Sequence, residues 1–170
     1  MRICFFVSAL LWFAWPSTAQ DNHHYQTDFS NGELRERRAR IMETIGNDAI
    51  AVIQGASGRP GFSVFRQSNT FYYLTGLETD HAYLLLNAKN KQTTLYLPHR
   101  DEGREQGQGK VLSAEDADLV KALTGADQVK GIEFLSADLL RTGLIRPPAP
   151  KLYTPMSPAE TGNDSRDELL

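Results

Sequence analysis

The chain has little cysteine and no excess of charge of one sign. Its single cysteine, Cys4, lies in the apolar segment at the start of the 170 residues, so the rest of the chain has no disulfide, no cysteine nucleophile and no thiolate metal site. The formal net charge of −3 gives no basic surface of the kind that nucleic-acid-binding proteins present. The hydrophobic fraction of 41% and the charged fraction of 23% are typical of a soluble globular protein, and the length fits one domain.

Histidine is scarce as well. In the central part of the chain only His81 and His99 occur, and they are not spaced as a metal-ligand pair such as His-x-x-x-His. His23 and His24 stand in a polar segment, where two imidazoles alone make a weak metal site. The glycine-rich segment 55–61 lacks the Gly-Lys-Ser/Thr sequence of a phosphate-binding loop. Neither a metal site nor a nucleotide site is therefore predicted.

The amino-terminal segment 1–19 has the pattern of a secretory signal peptide. Arg2 precedes a nearly unbroken apolar run, Pro16 ends the run, and small residues lead up to Ala19, the predicted cleavage site. A retained membrane anchor is the alternative, but about 13 apolar residues rise only about 20 Å as a helix, short of a bilayer core of about 30 Å. We therefore expect an exported protein, periplasmic or extracellular, that leaves the membrane after cleavage and begins with a flexible segment, 20–30.

Helix and strand patterns alternate over 31–155, which predicts one α/β domain. The first helix is expected over 31–45, capped by Asn31 and ended by Gly46. Its apolar face holds Leu34, Ile41, Met42 and Ile45. Its other side is expected to face solvent, with a phosphate or membrane patch as the alternative, and it carries Arg35, Glu36, Arg37, Arg38 and Arg40.

Five apolar or β-branched segments predict the strands. The continuous apolar run 49–53 indicates a strand buried on both faces. Strands 83–86 and 93–97 form a hairpin, so the sheet must be mixed, and 129–134 and 151–154 are weaker candidates. Helices are expected over 114–124, with a Ser113–Asp116 capping box, and over 136–141. The polar, glycine-rich stretch 99–109 is expected to be a loop.

The segment 65–76 combines a cap, a bulky centre and a stop. Ser68 or Asn69 can cap a single helical turn, and Gly76 can supply the positive φ that ends it. The bulky residues between them, Phe71, Tyr72, Tyr73 and Leu74, are expected to pack in part on the sheet. Arg66 and Gln67 lie beside the turn, where they could bond its free backbone groups.

An Arg-Gln pair followed by an aromatic-aromatic-Leu-Thr-Gly stretch resembles the amino-terminal domain of aminopeptidase P and its creatinase and prolidase relatives. The resemblance extends over 33–155 and includes the arginine-rich first helix, the predicted strands and the Arg100-Asp101 pair. It implies a mixed β-sheet flanked by helices, similar to the ribonuclease H arrangement. It also implies a domain that serves homo-oligomerisation and walls one side of an active-site cleft.

In that family the catalytic centre lies in a second, "pita-bread" domain. The resemblance implies two manganese ions held there by two Asp, one His and two Glu, with a metal-bridged hydroxide that attacks the peptide bond before proline. That domain would begin beyond Leu170, so no catalytic residue, metal ligand or cofactor is assigned to this chain, which is expected to be inactive alone. Residues 156–170 are interpreted as a linker to the absent catalytic domain, the expected partner of this one.

The resemblance also yields a set of weak site candidates, whose charges are more simply interpreted as structural ion pairs or caps than as substrate ligands. They are Arg66, Gln67, Tyr72, Tyr73, Arg100, Asp101 and Glu105. Relatives often have a tryptophan two residues after the equivalent of Glu105, and it reaches toward a neighbouring subunit's substrate site. This chain has Gly107 there, so that substrate wall is predicted to be missing or different.

Three functional hypotheses remain open from the sequence. The first is the amino-terminal domain of an exported Xaa-Pro aminopeptidase in a truncated form. The second is a stand-alone secreted module that binds a protein partner. The third is an enzyme in its own right, but the neighbouring carboxylates of Asp101, Glu102 and Glu105 are more simply explained by a polar loop. Nucleic acid is not an expected partner.

Overall fold

A computed structural model of the chain describes residues 24–58, 65–145 and 148–155. The predicted signal peptide, His23, Gly61, the start of the proline-rich connector and the predicted linker 156–170 lie outside these residues. In the described part of the chain, no helix is both long enough and apolar enough to cross a bilayer.

Five strands form one mixed sheet. They are β1 (Ala49–Gln54), β2 (Tyr83–Asn87), β3 (Gln92–Leu97), β4 (Gln128–Gly131) and β5 (Lys151–Tyr153). Their order across the sheet is β4-β3-β2-β1-β5. Strand β2 pairs antiparallel with β1 and β3, whereas β4 runs parallel to β3 and β5 runs parallel to β1. The predicted hairpin and the predicted mixed sheet are confirmed.

The helices are short except for the first. They are α1 (Asn31–Ile45), α2 (Asn69–Thr75), α3 (Glu102–Gln108), α4 (Ala117–Thr124) and α5 (Leu135–Arg141), with 3₁₀ turns at Ala114–Asp116 and Ile132–Phe134. The bounds predicted for α1 are correct, but its cap is Ser30, whose hydroxyl accepts a hydrogen bond from Glu33 N. The Asn31 side chain donates instead to Ala122 O, 2.9 Å away.

Two predicted segments differ from the structure. The stretch expected to be a loop contains α3, since Asp101 accepts a hydrogen bond from Arg104 N and begins a helix despite the glycines in it. The strand expected over 129–134 ends at Gly131, where the chain turns into a 3₁₀ helix.

The sheet is covered unequally on its two faces. On the first face α1, α2 and α4 enclose the main core, which includes Met42, Phe71, Leu74, Leu84, Leu95 and Val120. On the second face a smaller cluster of Ile50, Leu85 and Tyr96 packs against residues of α5 and of the turn after it. Within the described ranges, three helices cover the first face and one packs on the second.

The interpretation of the α1 arginines as a solvent-facing side is wrong for two of them. Arg38 is 1% exposed, and its guanidinium donates to Leu74 O at 2.8 Å and to Thr124 O at 2.7 Å. Arg37, also buried, donates to Tyr73 O, and Arg35 donates to Gly125 O, both at 2.8 Å.

These hydrogen bonds satisfy carbonyl groups at the ends of two helices. The last carbonyls of a helix have no partner within the helix and carry its partial negative charge. α2 ends at Gly76 and α4 at Gly125, each in the left-handed region with a φ of 66°. Arginines from α1 satisfy the carbonyls at both ends. Burial lowers the pKa of Arg38 to about 10, so it remains charged at neutral pH.

The described part of the segment predicted to be flexible, 24–30, lies against the domain. Tyr25 packs on the main core. Gln26 accepts a hydrogen bond from Phe29 N at 2.9 Å and lies so close to Gly76 that a Cβ there would be 2.6 Å from its amide nitrogen. Glycine is favoured at position 76 by its positive φ of 66°, which residues with a Cβ rarely adopt.

Candidate functional site

Most of the residues predicted as site candidates come to one edge of the sheet. The carboxyl ends of β1, β3 and β4 and the amino end of β2 meet there, because β2 runs opposite to its neighbours. The connecting segments 55–58, 65–68, 77–82 and 98–101 lie at this edge, which we call the loop edge. The site is therefore a set of loop and helix-end residues around one sheet edge.

The 65–76 segment forms the expected single short helix. The Ser68 hydroxyl accepts a hydrogen bond from Phe71 N, and Gly76 N donates to Tyr72 O. Phe71 and Leu74 are fully buried in the main core. The motif is thus a packed turn that fixes α2 to the sheet, as its residue pattern predicts.

Gln67 is the most connected of the candidates. Its amide oxygen accepts hydrogen bonds from Ala56 N and Ser68 N, and its amide nitrogen donates to Thr79 O at 2.8 Å. It therefore joins the segment after β1 to the segment before β2 and holds the start of α2. Arg66, in contrast, is exposed and makes no ion pair or hydrogen bond with the part of the chain that the structure describes.

Tyr73 stacks on an arginine, and Tyr72 lines a surface pocket with Tyr25 and Leu77. The Arg37 guanidinium lies between the rings of Phe29 and Tyr73, 4.4 and 4.3 Å from their centroids. Tyr72 packs edge-on against Phe29, and partial burial raises the pKa of its hydroxyl. The stacking fixes Arg37 where it can bond the end of α2.

Arg100, Asp101 and Glu105 are used inside the domain. The Arg100 guanidinium is 2.7 Å from Asp116 Oδ1 and 3.7 Å from Glu105 Oε1, and its hydrogen bond to Asp116 raises the pKa of Arg100. The other oxygen of Asp116 accepts from the backbone N–H of Ser113, as the predicted capping box requires, and also from its hydroxyl. Asp101 caps α3.

Two clusters at the loop edge were not predicted. Asp80, almost fully buried, pairs with Arg104 of α3 at 2.7 Å. His81 has a φ of 53°, and its ring nitrogen accepts from Gly58 N at 3.4 Å. The partners are too far apart in sequence for spacing to reveal them.

The second cluster centres on His99, directly after β3. One ring nitrogen is 2.6 Å from Glu115 and the other is 3.2 Å from Glu133. The hydrogen bonds to Glu115 and Glu133 raise the pKa of His99, and the bond from His99 contributes most to lowering the pKa of Glu115 to about 2. The imidazole thus bridges two carboxylates that come from different parts of the chain.

The described residues of the loop edge do not bring together a catalytic constellation. Among the described residues, no three His, Cys, Asp or Glu side chains are placed to hold one metal ion. Gln67 bonds backbone groups, Tyr72 and Tyr73 make ring contacts, and Arg100 pairs with Asp116 and Glu105. What this arrangement can do is hold the loops of one sheet edge in a fixed position.

Comparison with known proteins agrees with this architecture. The family model for the aminopeptidase P N-terminal domain matches residues 34–143, more than half of the chain. A probable Xaa-Pro aminopeptidase of Aspergillus fumigatus is 36% identical over 77 residues, which cover 45% of this chain and 15% of that protein. A probable Xaa-Pro aminopeptidase of Fusarium vanettenii is 35% identical over 74 residues, covering 40% and 16%.

Solved structures share the fold. Escherichia coli aminopeptidase P, with the inhibitor Pro-Leu, has a TM-score of 0.61 at 21% identity, covering 80% of this chain and 31% of that one. This chain therefore spans about a sixth of the curated relatives and about a third of the solved enzyme. Together with the mixed sheet and the packed 65–76 turn, the family match leads to one conclusion: the chain belongs to the aminopeptidase P N-terminal domain family.

Proposed function

We propose that this chain forms the amino-terminal domain of a longer, exported Xaa-Pro aminopeptidase, which removes an amino-terminal residue that precedes proline. The observation that carries the proposal is the family match over 34–143, supported by relatives named as probable Xaa-Pro aminopeptidases. Since this chain spans only 15% of such a relative, the proposed activity belongs to the whole enzyme.

The proposed metal ions, two manganese ions, would be held by the catalytic domain. The described residues do not fit such a centre, because the two nitrogens of His99 face two different glutamates and Asp80 is engaged by Arg104. No reaction step is assigned to the described residues. Their proposed contribution is to assist homo-oligomerisation and to wall one side of the active-site cleft.

A peptidase assay tests whether the activity requires the residues that follow this chain. The chain without residues 1–19 is purified and given an Xaa-Pro peptide with manganese, and no turnover is expected. The protein encoded when the reading frame is followed past codon 170 should hydrolyse the same peptide and lose activity with EDTA. Turnover by the short chain, or an inactive longer protein with a complete second domain, would overturn the proposal.

Export is tested separately, by the mass of the secreted protein. Cleavage after Ala19 should give a mature chain that begins at Gln20. An Ala19→Arg variant should keep the segment, because the cleavage site requires a small residue at that position. An intact amino terminus on the wild-type protein would contradict the export proposal and leave the family assignment untouched.

A further inference from the structure

A small cavity, which we call the α1 cavity, lies between α1 and the end of the sheet opposite the loop edge. Its volume of about 330 Å³ is in the lower range of small-molecule sites. α1 forms one wall, and residues that follow β2, begin β3 and precede β4 form the other. The lining includes Arg35, Glu43, Ala88, Lys91, Thr93 and Asp127.

A buried hydroxyl group lines the α1 cavity. Thr93 is the second residue of β3 and points to the same face of the sheet as Leu95, because side chains alternate along a strand. Thr93 is 4% exposed, and its hydroxyl makes no hydrogen bond with the part of the chain that the structure describes. Buried polar side chains are as a rule hydrogen-bonded. A polar group of a ligand in the cavity would supply that partner.

Two cationic side chains stand at the rim of the cavity. Arg35 Nε donates to Gly125 O at 2.8 Å, which fixes the guanidinium and leaves its two terminal nitrogens without a partner among the described residues. The exposed Lys91 ammonium makes no ion pair within the described ranges either. The two groups together can bind a carboxylate.

Two carboxylates stand at the same rim. One oxygen of Asp127 accepts a hydrogen bond from Thr93 N at 2.8 Å, which holds this carboxylate next to Thr93. The Glu43 carboxylate is exposed and has no ion pair or hydrogen bond with described residues. The formal charges of the two cations and the two anions cancel. The rim therefore matches a ligand that carries one charge of each sign better than a simple anion or cation.

The cavity wall between the charged groups is apolar. Met42 and Ala88 line it, and both belong to the main core. Ala39 contributes a further methyl group from α1. A flexible methionine can adapt to side chains of different shape. This wall suits an aliphatic group.

We propose that the α1 cavity binds a zwitterionic α-amino acid with an aliphatic side chain. Arg35 and Lys91 bind its carboxylate, to which the Thr93 hydroxyl also donates. Glu43 and Asp127 bind its ammonium group, and its side chain lies on the apolar wall. The site consists of described residues of this chain alone, so it does not require the proposed peptidase activity.

Two other cavities hold charged groups that already have partners within the chain. In the cavity beside α5, Asp138 pairs with Lys130 at 2.6 Å and with Arg141 at 3.1 Å. In the cavity around His99, each ring nitrogen faces a glutamate. The α1 cavity differs from both because its lysine and one of its carboxylates have no such partner.

A nuclear magnetic resonance titration tests the site. L-Leucine is added to the purified chain while the amide signals of Thr93 and Gly125 are followed. We expect saturable shifts with a dissociation constant of about 1 mM, since a small ligand at an open site binds weakly. N-acetylleucine lacks the ammonium charge and leucinamide lacks the carboxylate, so each should bind about tenfold more weakly.

Two results of this titration would overturn the proposal. One is the absence of a saturable shift up to about 50 mM leucine. The other is binding of inorganic phosphate as tightly as leucine, which would indicate a simple anion site.

Matched variants assign the charges. Lys91→Gln should weaken leucine binding about fivefold and leave leucinamide binding unchanged, because leucinamide has no carboxylate. Glu43→Gln should weaken leucine binding by a similar factor and leave N-acetylleucine binding unchanged. Lys89→Gln is the control, since Lys89 is an exposed cation two residues from Lys91 that does not line the cavity. Equal weakening of all three compounds, or an equal effect of the control, would overturn the assignment.

Thr93→Val tests the buried hydroxyl, since it replaces the hydroxyl with a methyl group of similar size. Leucine binding should weaken about fivefold. The exposed-site variants should melt within about 2 °C of wild type, which separates lost binding from lost folding. Unchanged leucine binding by Thr93→Val would overturn the role of the hydroxyl. None of these measurements involves peptide hydrolysis, so either proposal can fail without the other.

Discussion

At the scale of the residue, Arg38 has the most demanding position. Its buried guanidinium bonds Leu74 O and Thr124 O, so Arg38→Met would leave two buried carbonyls without donors. We expect the free energy of unfolding to fall by about 3 kcal/mol. Arg40→Met is the control, because Arg40 is 68% exposed and its pair with Glu36 contributes at most about 0.5 kcal/mol. Urea denaturation measures both, and equal losses would contradict the assignment.

Gln67 gives a second test, since it separates a structural role from a substrate contact. Gln67→Glu replaces the amide nitrogen that donates to Thr79 O with a carboxylate oxygen, which repels that carbonyl. We expect a loss of about 2 kcal/mol in unfolding free energy. Arg66→Gln, its exposed neighbour, should change stability by less than about 0.5 kcal/mol. A stable Gln67→Glu protein would argue against the structural role.

The sequence could not predict these residue roles for a physical reason. A helical pattern records which side chains are polar, and it cannot show that a polar one is buried against carbonyls. Arg38 meets its partners 36 and 86 residues along the chain. The amino-acid pattern of 65–76, in contrast, contains its own cap and stop, so Ser68 and Gly76 were predictable.

At the scale of the element, substitutions of two glycines test whether α3 is a helix in solution. Gly107 lies on an exposed part of α3, and a Cβ added there meets nothing within 4 Å. Gly107→Ala should stabilise the protein by about 0.5–1 kcal/mol, because alanine favours helix more than glycine does. Gly109 ends the helix with a φ of 89°, so Gly109→Ala should destabilise by about 1 kcal/mol. Thermal melts that moved in the same direction would show that α3 is not helical in solution.

Elements with local signals were predicted well, and elements without them were not. The β2–β3 hairpin, α1 and α4 each have a clear apolar pattern and a recognisable end, and all three were found. The sequence did not predict α3, because its seven residues include Gly103 and Gly107, and glycine disfavours a helix. It forms because Asp101 caps it and Arg104 pairs with buried Asp80, a contact that only the tertiary fold creates.

At the scale of the whole molecule, the His99 cluster sets a pH dependence. The pKa of His99 is raised above 6.5 by Glu115 and Glu133, so its stabilising effect is complete below about pH 6.5 and is lost as the pH rises through the raised value. The pKa of Glu115 is lowered from 4.5 to about 2, so its effect is complete above about pH 4.5 and is lost as the pH falls toward 2. The cluster should stabilise the fold most between about pH 4.5 and 6.5.

A comparison of wild type with His99→Gln measures this effect. Unfolding free energies from urea titrations at several pH values should differ most between about pH 4.5 and 6.5 and converge at higher pH. Because the cluster is exposed, added salt should reduce the difference. A difference that stays constant from about pH 5 to 9 would show that His99 does not act through its charge.

The arginine bonds of α1 also set the order in which the domain can be completed. Thr124 is synthesised 86 residues after its partner Arg38, and Gly125 is synthesised 90 residues after its partner Arg35. Ribosomes add about 5–20 residues each second, so α1 spends roughly 4–18 s without its partners at the end of α4. A helix of this length is marginal when isolated. The bonds from α1 to the end of α2 can therefore form first, and those to the end of α4 only after Gly125 has emerged.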